Sequence, residues 1–159
     1  MQHDEILIAG AVATWKTALG RADKFFTALD AAALEKAVAP ERNRLIYLWG
    51  HMAATHDRML QLLGIGERVH PEFDEFFLTS PDRSKVLPDA EVIRTWWEEV
   101  NRKLNQGFEG FTTADWLERH TAVSAEDFAN EPLRNRFSIL LTRTNHLAYH
   151  LGQTALVPR

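Results

Sequence analysis

The sequence predicts an all-α protein, a four-helix bundle with long connections between helices two and three and between helices three and four. Three observations lead there. Apolar residues recur every three or four positions through four long segments, which is the period of an amphipathic helix. Strand-like alternation of apolar and polar residues is scarce. Pro40, Pro88 and Pro132 fall at the borders of these segments, where a residue without a backbone N–H is tolerated.

The first segment runs from about Asp4 to Leu29, with Ile8, Val12, Trp15, Leu19, Ala22, Phe26 and Leu29 on one face. A short helical turn, 31–38, follows. The second long segment, about 42–63, carries Leu45, Leu48, Trp49, Met52, Met59, Leu60 and Leu63, and Gly64-Ile65-Gly66 ends it with residues that tolerate left-handed geometry. The connection 67–87 is too long for a tight turn, and Phe73, Phe76 and Phe77 are expected to pack it onto the body. The third helix opens at Pro88-Asp89, with Asp89 as N-cap and Val92, Ile93, Trp96, Trp97, Val100 and Leu104 behind it. Residues 111–132 are expected to be irregular or to hold short elements, and Ser124 with Asp127 resembles a capping signal. The fourth helix follows Pro132, with Leu133, Phe137, Leu140, Leu141, Leu147, Leu151 and Ala155 as its buried side.

A chain of 159 residues, 45% hydrophobic and 25% charged, fits one domain with a sizeable core. It has no cysteine, which excludes disulfides, thiolate metal sites and a cysteine nucleophile; any thiol chemistry needs an external thiol. The N-terminal MQHDEILIAG is acidic where a secretory signal is basic, and no run approaches the ~20 apolar residues of a membrane span, so a cytoplasmic protein is expected. The net charge is −4 and the basic residues are scattered, with Arg42 and Arg44, then Arg134, Arg136 and Arg143, the nearest to clusters. No nucleic-acid partner is expected. Residues 156–159, Leu-Val-Pro-Arg, match half of a thrombin-cleavage site and are expected to be a protease-site remnant, leaving 1–155 as a single domain.

His146 and His150 carry the strongest chemical signal. Four residues apart on a helix, they present two imidazoles on one face, roughly 5–6 Å apart at Cβ. Two such rings can share a metal ion, and the missing glutamate of HExxH excludes the zinc-protease pattern. A third ligand must come from elsewhere. His51 and His56 compete for it; five apart, they lie about 140° from each other around the helix, so both are not expected on one ion. The helical wheel places His56 nearer the centre of the apolar stripe and His51 at its edge, which leaves the choice open. Three neutral imidazoles with an open position suit zinc or nickel, with iron or manganese less usual. His3, His70 and His120 lie near a terminus or in loops and are expected to be ordinary side chains. Arg58 is expected to be a surface arginine, and Tyr149 points away from the histidine face.

Three stretches in order, YLWGHMAATHDRML (47–60), LPDAEVIRTWWEEVNRKL (87–104) and LLTRTNHLAYHLGQ (140–153), resemble the DinB-like superfamily of metal-binding four-helix bundles. The last, similar to its HxxxHxGQ signature, is the most specific. The resemblance implies His51, His146 and His150 as the metal ligands. His56 stands where members often have an acidic residue, and is either a supporting group or an alternative ligand. Gln153 ends the signature and can hydrogen-bond within the site. Some members transfer low-molecular-weight thiols and others are metal-dependent hydrolases, so reaction type does not carry over with the fold. The resemblance implies a metal-dependent enzyme, a thiol S-transferase or hydrolase, acting on a small electrophile. The alternative is a non-catalytic, metal-binding or stress-related small-molecule-binding protein. A homodimer is expected, with Trp96, Trp97 and the connection's phenylalanines as a candidate face. The sequence assigns no catalytic residue.

Overall fold

The computed structural model describes residues 3–157. Its helices are α1 (His3–Thr27), α2 (Ala31–Leu34), α3 (Leu45–Leu62), α4 (Asp74–Phe77), α5 (Ala90–Gly110), α6 (Thr113–Leu117), α7 (Ala125–Asn130) and α8 (Arg136–Thr154), with one 3₁₀ turn at Pro71–Phe73. Only isolated bridges, Ala37 with Arg44 and Arg119 with Asn135, pair extended backbone among the described residues. The protein is all-α. The four predicted long segments are α1, α3, α5 and α8.

Local chemistry sets the ends. The Asp30 carboxylate accepts the Ala33 N–H at the start of α2. The helix stops after Leu34 rather than at 38, because the backbone pairs instead: Val38 donates to Asn43 and Leu45 to Lys36. Gly64, at φ +69°, ends α3. Its N–H bonds the Gln61 carbonyl and that of Ile65 bonds Leu60, the Schellman arrangement that satisfies two otherwise unpaired carbonyls. Ser124 accepts the Asp127 N–H at 3.0 Å, as its spacing predicts. The Asn135 side chain caps the Ser138 N–H and starts α8 at Arg136. Leu133 therefore lies before the helix and is 78% exposed, not on its buried side; Leu141 is also largely exposed.

The packing gives the helix directions. Trp15 meets His56 and Phe26 stacks on Trp49, so α1 and α3 are antiparallel. Arg94 lies over Trp49, His56 bonds Asn101, and Gly107 sits against Ile65, so α3 and α5 run parallel. Parallel neighbours need a connection that returns the length of a helix, about 27 Å for α3. This is the physical reason for the long segment 63–89. α8 runs antiparallel to α3: His51 faces His146, and Gly64 lies beside Arg136.

All five tryptophans are buried in the core, including Trp96 and Trp97. This removes those two from any dimer face. α3 is buried over most of its surface, on Gly50, Thr55, His56 and Asp57 as well as its apolar residues, because α1, α5, α8 and the 63–89 connection surround it. Phe77 is buried as expected, while Phe73 and Phe76 pack partly buried against the core. Asp57 pins the connection further: its carboxylate accepts the N–H groups of Val69 and His70 and lies 3.4 Å from Arg68. Arg44 ties the other end to Asp82, and the Tyr47 hydroxyl donates to the Ser80 carbonyl. Val157 packs against the core and Leu156 is exposed, whereas Pro158 and Arg159 of the expected remnant lie outside the described residues. No helix among the described residues is long and apolar enough to cross a membrane.

Asp57→Ala strands two backbone donors and removes one carboxylate from Arg68. A loss of about 3 kcal/mol is expected in urea unfolding, together with faster proteolysis within 64–89.

Candidate metal centre

α3 supplies His51 and α8 supplies His146 and His150 from consecutive turns. The three imidazoles form a group whose ligand atoms all lie within 4.8 Å of one another and that could hold a metal ion. His146 Nε2 stands 3.1 Å from both His51 Nε2 and His150 Nε2. The expectation that His146 and His150 share a face holds, and of the two competing histidines the structure brings His51 to them.

The outer nitrogens fix the chemistry of the inner ones. His51 Nδ1 donates to the Phe77 carbonyl at 2.8 Å, and His150 Nδ1 donates to Gln153 Oε1 at 2.7 Å. Both acceptors lack a proton, so in each neutral ring the N–H is on Nδ1 and Nε2 presents a bare lone pair. His146 Nε2 faces both lone pairs and can offer a proton to only one of them. A cation at the shared focus removes the remaining repulsion. Metal–nitrogen bonds of about 2.0–2.1 Å at ordinary coordination angles put neighbouring nitrogens about 2.9–3.4 Å apart, which the 3.1 Å separations match. The donor set therefore fits a divalent ion. Gln153 performs the supporting role its place in the signature implies, orienting a ring through its second nitrogen.

Burial favours the neutral, ligand-competent form of each ring. It lowers His51 despite the Phe77 hydrogen bond, lowers His150 despite Gln153, and together with His150, His51 and Arg143 brings His146 down to about 4. No carboxylate belongs to the group among the described residues.

His51 is placed by a close approach that the sequence does not announce. Phe77 lies so near Gly50 that a Cβ there would stand 2.2 Å from the ring. Only a residue without a side chain lets the connection settle this deeply, and the same seating brings the Phe77 carbonyl onto His51. A backbone acceptor leaves no side-chain signal to read.

His56 is outside the group. It is fully buried, as its place on the helical wheel predicts, between Trp15 at 4.7 Å and Trp97 at 4.9 Å. Its Nδ1 donates to Asn101 Oδ1 at 2.7 Å, and Asn101 in turn donates to the Trp97 carbonyl. This links α3 to α5. Burial holds His56 down to about 3. His70 is paired with Glu72 and stacked on Phe73, and His3 and His120 do not join the metal group. Arg58 is half exposed and paired with Asp74, and Tyr149 is exposed. A surface cavity of about 540 Å³, lined by Glu35, Arg44, Arg83 and Pro88 among others, contains none of the histidines, so volume alone does not mark the site.

The fold and this cluster define a class: a helical protein with a candidate three-histidine metal centre. The family model of the DinB superfamily matches residues 14–154, and the chain belongs to that superfamily. A comparison with curated proteins gives no match.

Gly50→Ala is expected to cost about 1–3 kcal/mol and to shift the His51 ring resonances in NMR spectra, with Phe77→Leu in the same chain recovering part of the loss. His56 gives a pH dependence of defined sign. Its folded pKa, about 3, lies below the ordinary 6.5. Its contribution is complete above pH 6.5 and is lost as pH falls from there toward 3, because the unfolded chain takes up the proton first. Urea midpoints should decline over that window, and His56→Gln should flatten the decline.

Proposed function

We propose that this protein is a divalent-metal-dependent enzyme that joins a low-molecular-weight thiol to a small electrophile. The observation that carries the proposal is the ligand count. Three imidazoles converge, and no fourth protein ligand joins them among the described residues, the pattern of a catalytic rather than a closed structural site. His51, His146 and His150 would hold the ion, with zinc or nickel the best match to three neutral nitrogens and iron or manganese the poorer ones. A divalent ion there supplies the acidity that deprotonates a thiol at neutral pH.

The chain's own residues do the rest. Phe77 and Gln153 hold two rings with their lone pairs inward. Burial disfavours protonation of all three rings, so protons compete poorly for the site. The sulfur lone pair forms a carbon–sulfur bond to the electrophile, the leaving group departs with its bonding pair, and the thiol proton passes to solvent. The chain has no cysteine, so the nucleophile is a cosubstrate. Dependence on a free thiol suits a reducing compartment, which supports a cytoplasmic setting. The alternative is a non-catalytic metal-binding or stress-related small-molecule-binding dimer, which a fourth protein ligand would favour, and none joins the group among the described residues.

Protein purified without a nickel column is expected to hold about one ion per chain by elemental mass spectrometry. His51→Ala, His146→Ala and His150→Ala should each lose it, and His56→Ala should keep it. Metal-loaded protein should conjugate at least one thiol to a panel of electrophiles; failure across the panel with full metal content would sink the enzymatic proposal while leaving the site.

A further inference from the structure

Arg143 lies three residues before His146, on the same face of α8, with the bases of the two side chains roughly 5–6 Å apart. It is partly buried, its Nε is enclosed without a hydrogen-bond partner, and no ion pair forms to it among the described residues. Other arginines of the chain are compensated: Arg58, whose charge bears on Arg143, by Asp74, Arg68 by Asp57 and Asp74, Arg44 by Asp82 and Glu35, Arg136 by Glu118. Arg143 therefore spends desolvation energy with no partner to offset it. Burial and the nearby Arg58 both work against its charge, yet a guanidinium stays protonated. From its place one helical turn before His146, its charge works against protonation of His51, His56 and His146.

The centre itself adds to the imbalance. Its three ligands are neutral, so a divalent ion there brings two further positive charges that no carboxylate of the group cancels. A divalent ion held there and a guanidinium one helical turn away would together make a two-point anion site. Arginine's planar fork matches a carboxylate through two parallel hydrogen bonds.

We propose that Arg143 is the specificity residue of the three-histidine site, selecting ligands that bear a carboxylate a short spacer away from the atom that meets the metal. This deepens the thiol-transfer proposal and rests on it for the second point of contact. Arg58, the neighbouring arginine, is already paired with Asp74 and does not compete for this role.

The test uses cobalt-loaded protein, with 3-mercaptopropionate and its methyl ester as probes and the thiolate–cobalt absorption band as readout. Wild type is expected to bind the acid at least about tenfold more tightly than the ester, the scale of a hydrogen bond to a charged group. Arg143→Gln should abolish the preference at unchanged metal content and helicity, and Arg143→Lys should restore part of it. Equal affinities in wild type, or a preference that survives in Arg143→Gln, overturns the proposal. If cobalt or thiol fails to bind, the thiol-transfer proposal falls instead. The Arg143 assignment is then decided in metal-free protein, by titrating succinate against the Arg143 Nε–H NMR resonance. Saturable movement supports it and an unmoved resonance overturns it.

Discussion

The contact between Gly50 and Phe77 is the constraint on which the rest of the centre depends. α3 and α5 run parallel, so the chain must climb back along α3 before α5 begins. That return segment crosses α3 beside His51, where a side chain at position 50 would collide with the Phe77 ring. With glycine there, the segment seats deeply enough for the Phe77 carbonyl to take the His51 N–H. A topological requirement, the long crossover, thereby orients the His51 ring. Asp57, Arg44 and Tyr47 hold the same segment at other points, so the carbonyl sits in a framework rather than on a free loop.

Electrostatics divides the buried polar groups into two kinds. Asp57, Asp82, Asp74 and most of the arginines form paired sets, in which each charge offsets its neighbour's desolvation. The histidines solve the problem differently, by remaining neutral. His56 does so between two indoles with an amide partner, which suits a core. His51 and His150 do so with their lone pairs turned on His146 Nε2, which can donate to only one of them, a repulsion that a cation at the centre would relieve. Arg143 belongs to neither kind. Its charge is retained without a partner next to a site that is itself electron-pair rich and charge-poor.

Much of the fold was legible because helix period and caps are local. The four long segments, the Gly64 stop and the Ser124 cap follow from residues within a few positions of each other. The errors were also local in origin. Leu133 reads as helical by period, but the Asn135 side chain starts the helix later. Residues 35–38 read as helix, but their backbone pairs with 43–45. Trp96 and Trp97 could be assigned to surface or core with equal reason from spacing, and packing chose the core.

By itself the sequence determined the all-α class, the His146–His150 pair and, through its likeness to a family, His51 as their partner. Each rests on helical spacing or on a contiguous motif, which chain geometry carries without help. Only the tertiary structure decided that His56 faces Asn101 and two indoles, that the Phe77 backbone orients His51, that Asp74 occupies Arg58, and that Arg143 is left uncompensated. These are relations between residues tens of positions apart, and pairing and desolvation exist only once packing has brought them together.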